Sequence, residues 1–143
     1  MRNIESEFRR ADHLLYVSLK YTKTTDVIGN VLERWSSTIE LCIERLLMRA
    51  KRTKRIKQIP TTPLAKVELL LKTNKDKIVK EAADLYLFFR NVKNLTILRQ
   101  HEFRKNVTLL VINGKRETRV DIPQLFEWNL KLLEIIEYVR QKV

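Results

Sequence analysis

The sequence predicts a mainly α-helical protein: a bundle of about five helices with one inserted β-hairpin at about residues 107–120, folded as a single domain over residues 1–143. Three observations carry that expectation. Apolar residues recur at spacings of three and four along most of the chain. Only two glycines and three prolines punctuate 143 residues, so long helices are rarely interrupted. One stretch breaks the helical period: VTLLVI, then Asn113-Gly114, then KRETRV reads as strand, tight turn, strand.

The first helix is expected over residues 3–21. Ile4, Phe8, Ala11, Leu15 and Leu19 share one face, while Arg9, His13, Tyr16 and Lys20 line another. That second stripe is either solvated or turned toward phosphates. Thr24-Thr25-Asp26 is an N-cap cluster that opens the longest helix, about 26–52, roughly 40 Å at 1.5 Å per residue. Val27, Val31, Trp35, Ile39, Cys42, Leu46 and Ala50 form its core stripe. Within that stripe Cys42 reads as a small core residue rather than a nucleophile, and Trp35 as core rather than a base-stacking surface.

Thr62 and Pro63 supply an N-cap and a first helical residue for a short helix at roughly 63–73, with Leu64, Val67, Leu70 and Leu71 inward. Asn74-Lys75-Asp76 separates it from a helix over about 76–93 that holds Ile78, Val79, Ala82, Ala83, Tyr86 and Phe89. The last helix, about 123–142, carries Leu125, Trp128, Leu132, Ile135, Ile136 and Val139, with Phe126, Leu130 and Leu133 widening the face. Two helices this apolar have few neighbours to cover them, which suggests a homodimer. The hairpin register implied by an Asn113-Gly114 turn pairs Ile112 with Lys115 and Val107 with Val120. It leaves Lys115, Arg116 and Arg119 on an exposed basic strand.

Charge bounds the partner class. Lys and Arg total 29 against 17 Asp and Glu, a formal net charge of +12, which points to a polyanion: nucleic acid or an anionic membrane surface. A thermophile surface rich in Lys, Arg and Glu is the alternative, but such surfaces balance the two signs. The excess is concentrated in RAKRTKRIKQ, where Arg49, Lys51, Arg52, Lys54, Arg55 and Lys57 follow in close order. Cations complement the C-terminal end of a helix dipole over about one turn. The remainder run into a loop with no local reason to be there. With Arg9 and Lys20 they form the expected nucleic-acid-binding set. No run approaches the length of a membrane span, and the N-terminal MRNIESEFRRADHLL lacks the apolar centre of a signal peptide. A cytoplasmic location is therefore expected. One cysteine and two histidines are too few for an ordinary zinc site, and no metal or other cofactor is expected.

One cluster raises the question of catalysis. LRQHEFRKNVTLL, residues 98–110, gathers Arg99, His101, Glu102, Arg104 and Lys105. Were residues 95–105 helical, His101 and Lys105 would stand at i and i+4 and Arg99 and Glu102 at i and i+3. His101 as a general base, with Arg99 or Arg104 stabilising developing phosphate charge, would suit a metal-independent ribonuclease. The same residues also serve as a polar joint between elements. Glu102 would then pair with Arg99 or Lys105, and Arg104 and Asn106 would bond free carbonyls.

Residues 11–50, ADHLLYVSLKYT, a capped turn and DVIGNVLERWSSTIELCIERLLMRA, resemble the HEPN superfamily, and HEFRKNVTL is similar to a group of small archaeal proteins of unknown function. The HEPN resemblance implies an up-and-down helical bundle, dimeric, with links to RNA cleavage or toxin–antitoxin systems. The superfamily's catalytic signature places a histidine four to six residues beyond an arginine and a polar residue. Here Arg90-Asn91 is followed at 95–97 by Leu, Thr and Ile, and Arg104-Lys105 at 109–111 by Leu, Leu and Val. No catalytic residue carries over, so the resemblance implies a non-catalytic member. Three functions follow in order: a dimeric, non-catalytic nucleic-acid-binding protein, RNA being the expected ligand; a ribonuclease using His101; and a protein-interaction or antitoxin-like scaffold.

Overall fold

The computed structural model describes residues 3–143. Among these residues, five helical rods, a short 3-10 turn (Val92–Asn94) and one antiparallel sheet share a single apolar core. Helix α1 (Ile4–His13) continues through a π-helical stretch (Leu14–Ser18) and a closing α-turn (Leu19–Tyr21) as one rod. Asn3 caps it, its side chain accepting from Ser6 N–H at 2.7 Å. Ile4, Ala11, Leu15 and Leu19 are buried, and Arg9, His13, Tyr16 and Lys20 are all exposed, as their spacing predicts.

Helix α2 (Thr25–Arg52) is the axis of the molecule. Thr24 caps it, accepting from Val27 N–H at 3.3 Å. Its buried residues fall on more than one side because α1, α3 (Pro63–Thr73), α4 (Lys77–Asn91) and α5 (Ile122–Lys142) all pack on it. Trp35 is fully buried, with its ring 5.6 Å from Phe89, which in turn lies 5.2 Å from Trp128. This aromatic run binds α2, α4 and α5 together. Cys42 is buried, and burial pushes its thiol up to about 12, so it is an inert core residue, as its place in the stripe predicts. Thr62 caps α3, accepting from Ala65 N–H at 3.4 Å, with Pro63 at the first helical position. Leu64, expected inward, is instead exposed: it stands in the first turn, beyond the part of α3 that Val67 and Leu70 bury. Tyr138 of α5 closes the α3–α4 junction, donating to Asp76 Oδ2 at 2.5 Å and accepting from Asn74 Nδ2 at 3.0 Å.

The sheet has three strands rather than two. β1 (Thr96–Gln100), β2 (Thr108–Asn113) and β3 (Arg116–Asp121) form an antiparallel meander with β2 at the centre. The segment read as helical at 95–105 is therefore strand and turn. Thr96-Ile97-Leu98 finds its backbone partners on β2, pairing Ile97 with Val111 and Leu98 with Leu110. Val107, Leu109, Val111 and Val120 belong to the helical core, while Leu98 and Arg119 flank Leu110 on the opposite face. The second turn also differs from expectation. Asn113 pairs with Arg116 and Ile112 with Glu117, leaving Gly114-Lys115 as the two-residue loop. Gly114 alone takes a left-handed backbone there, φ +64°, the pattern of a type II′ turn with glycine first. The strands slide by two residues relative to the expected register, so every side chain keeps its face. Lys115, Arg116 and Arg119 are exposed, as expected.

Candidate nucleic-acid interface

The C-terminal end of α2 and the turn after it hold the densest run of cations. Arg49, Lys51 and Arg52 lie in the last helical turn, where they face the negative end of the dipole. Thr53 closes the helix: its hydroxyl donates to Arg49 O at 3.1 Å. Lys54 then takes a left-handed backbone, φ +64°, which turns the chain sharply back so that Arg55 N–H meets Ala50 O at 2.9 Å. The Arg55 guanidinium donates to Thr73 O at the end of α3, which makes Arg55 a strut as well as a charge. Ile56 is buried beneath the turn and anchors it, while Lys51, Arg52, Lys54 and Lys57 stand in solvent. Arg45, Lys51, Arg52, Met48 and Ile59 line a groove of about 790 Å³ alongside. Cations rim this groove and Met48 and Ile59 give it an apolar surface.

None of the predicted binding cations meets a carboxylate at ion-pair distance among the described residues. The carboxylates pair elsewhere: Glu44 with Lys66 at 3.0 Å, Asp84 with Lys80 at 3.6 Å, Glu5 and Glu137 with Arg140. The excess charge is thus not absorbed by internal pairing at this end of the molecule.

The structure does not gather all the predicted cations into one patch. Lys20 lies at the opposite end of α2, about 40 Å from Arg52 by helical rise. Arg9 sits between the two. It shares a shallow cleft with Ser6, Arg10, His13 and Arg34 above the buried Glu7, whose carboxylate lies 3.8 Å from Arg10 and 3.6 Å from Arg34. Arg10 and Arg34 are additions that sequence reasoning missed. Their proximity depends on α1 crossing α2, which the spacing within either helix does not express. The cations therefore form a strip along α2.

The Arg99–Lys105 cluster is a joint. Glu102 reaches the N-terminus of α2: Thr25 N–H donates to Oε2 at 3.1 Å and Thr25 Oγ1 donates to Oε1 at 2.5 Å. A carboxylate there meets free backbone N–H groups and the positive end of the helix dipole. Arg99 pairs with Asp26 at 3.0 Å, and Phe103 N–H donates to Lys23 O at 2.6 Å. These ties clamp the β1–β2 turn onto the start of α2. Glu102 thus pairs with Thr25 and not with Arg99 or Lys105. Arg99 also lines a cleft of about 350 Å³ between α2 and the sheet, whose wall includes Asp26, Glu33, Glu40, Arg90 and Lys93. His101 is not part of that wall. It stands exposed on the turn with φ +55°, and Arg104 is exposed beside it. The residues offered for ribonuclease chemistry are therefore divided between the cleft and the turn.

Replacing Glu102 by Ala is expected to destabilise the fold by about 2–3 kcal/mol, since it strands the buried Thr25 donors and removes a charge from the helix start. Denaturant titration measures this. A change within about 0.5 kcal/mol of wild type, the range of an ordinary surface substitution, would mean the contact carries no weight.

Comparison with known proteins finds no matching family model, no matching curated protein and no matching solved structure.

Proposed function

We infer that this protein binds nucleic acid, RNA first, through the cations at the end of α2 and in the following turn. Binding is non-catalytic, and the protein acts as a dimer. The observation that carries the reading is that Lys51, Arg52, Lys54 and Lys57 are crowded on one exposed bend, with Arg49 half-buried at its start, all without carboxylate partners among the described residues. Holding like charges together in this way costs free energy through mutual repulsion, and a phosphate backbone removes that cost. Recognition is then electrostatic and weakly sequence-selective, since phosphate contacts position a ligand without reading bases. Arg9, with its neighbours Arg10 and Arg34, extends the strip along the helix. The test is to purify the protein at low salt and ask whether nucleic acid accompanies it, then identify what a high-salt wash releases. Preparations free of nucleic acid, together with no affinity for added RNA or DNA strands, would sink the reading.

Dimerisation is assigned to the outward stripe of α5, where Phe126, Leu130 and Leu133 are exposed at i, i+4 and i+7, with Tyr16 of the first rod packed against Phe126 at 5.4 Å. Leu130→Glu is expected to turn a dimer into a monomer in sedimentation velocity. A wild-type protein that sediments as a monomer at high concentration would remove this part.

A further inference from the structure

The clamped turn after β1 presents a feature that the cation strip does not account for. Phe103 is 75% exposed and takes φ +65°, a left-handed backbone that costs a bulky residue of order 1–3 kcal/mol. Its ring is too exposed for core packing to offset that strain, and His101 two residues earlier is left-handed as well. The turn is nevertheless held firmly, by Glu102 on Thr25, Arg99 on Asp26 and the Phe103 N–H on Lys23 O. The last of these bonds places Phe103 beside the segment that carries Tyr21, which is 79% exposed, with the Lys20 ammonium 5.9 Å from its ring centroid. Lys20, Arg104 and Lys105, all exposed, are sequence neighbours of the two rings, as is Lys23, whose ammonium donates to Lys20 O at 2.6 Å. The one carboxylate in residues 20–23 and 101–105, Glu102, is turned down onto α2. Two exposed aromatic rings with exposed cations next to them in sequence, on a clamped turn, combine the elements of a single-strand nucleic-acid platform: π-faces for bases and ammonium or guanidinium groups for phosphates.

We propose that Phe103 and Tyr21 form a base-stacking platform for single-stranded nucleic acid at the N-terminal end of α2, with Lys20, Arg104 and Lys105 holding its phosphates. The proposal rests on the nucleic-acid reading above and adds what that reading lacks, a preference for unpaired bases. The strain at Phe103 is then the cost of holding a ring outward in a preset orientation, which lowers the ordering cost when a base arrives.

The test compares labelled oligouridylate, oligodeoxythymidylate and an abasic strand of equal length by fluorescence anisotropy. Wild-type protein is expected to bind a base-bearing strand at least about fivefold more tightly than the abasic one, the lower end of what one stacked base contributes. The ribose and deoxyribose strands separate RNA from DNA as the source. Phe103→Asn, which suits the left-handed backbone, and Tyr21→Ser should each narrow the gap, with circular dichroism reporting that the fold is kept. Equal wild-type affinity for base-bearing and abasic strands overturns the platform while leaving the electrostatic reading intact, and no affinity for any strand overturns both. Binding to phosphatidylserine vesicles that Phe103→Asn abolishes, with the gap between strands unchanged, assigns the rings to a membrane surface and also overturns the proposal.

Discussion

Raising salt from about 50 to about 200 mM is expected to weaken duplex binding by about 250- to 1,000-fold. The figure follows from counterion release. Each phosphate neutralised by a Lys or Arg liberates condensed cations, so log affinity falls with log salt at about 0.9 per contact. The exposed bend of Arg49–Lys57 supports about five contacts, hence a slope near −4 to −5, and a fourfold rise in salt raised to that power gives the range. The combined substitutions Lys51→Ala, Arg52→Ala, Lys54→Asn and Lys57→Ala should bring the slope close to −1, since four of those contacts disappear. Arg55 is left in place because its guanidinium holds Thr73 O, and changing it would mix a structural loss with an electrostatic one. Lys54→Asn preserves a residue type that tolerates φ +64°. Anisotropy titrations across four salt concentrations measure the slope. A flat response in wild type, or a steep one in the quadruple variant, would place binding elsewhere.

Trp35→Ala is expected to cost about 3–5 kcal/mol, a large part of the total stability of a domain this size. Trp35 is 0% exposed at the middle of the central helix, and its ring starts the aromatic run through Phe89 to Trp128. Truncation opens a cavity where α2 and α4 meet, and close-packed neighbours collapse into it only in part. Trp35→Phe should be far milder. It keeps an aromatic ring and removes an indole N–H that has no acceptor among the described residues. Urea titration of both variants separates these terms: similar losses for Ala and Phe would show that ring volume is not what Trp35 contributes.

The division between what residue pattern specifies and what folding adds follows sequence separation. Helix starts at Thr24 and Thr62, the buried stripe of α2 and the inert placement of Cys42 are local: each arises from groups within a turn or two, joined by contacts at i+3 or i+4. They were legible from spacing, and so was the crowding of cations at 49–57. β1 was not. TILRQ has too little pattern of its own, and it becomes a strand because β2 offers it a row of backbone partners. The run VTLLVI, apolar but for Thr108 and lacking the alternation of a half-exposed strand, was the one available sign that β2 is central and needs a neighbour on each side. Glu102 meets Thr25 across 77 positions, and Arg34 reaches Glu7 only because α1 crosses α2. Contacts of that kind form where chain segments meet in space, and no periodicity along the chain encodes them. Short-range chemistry thus set the helices and the charge, while long-range packing fixed the third strand, the hairpin register and the conversion of a reactive-looking cluster into a clamp.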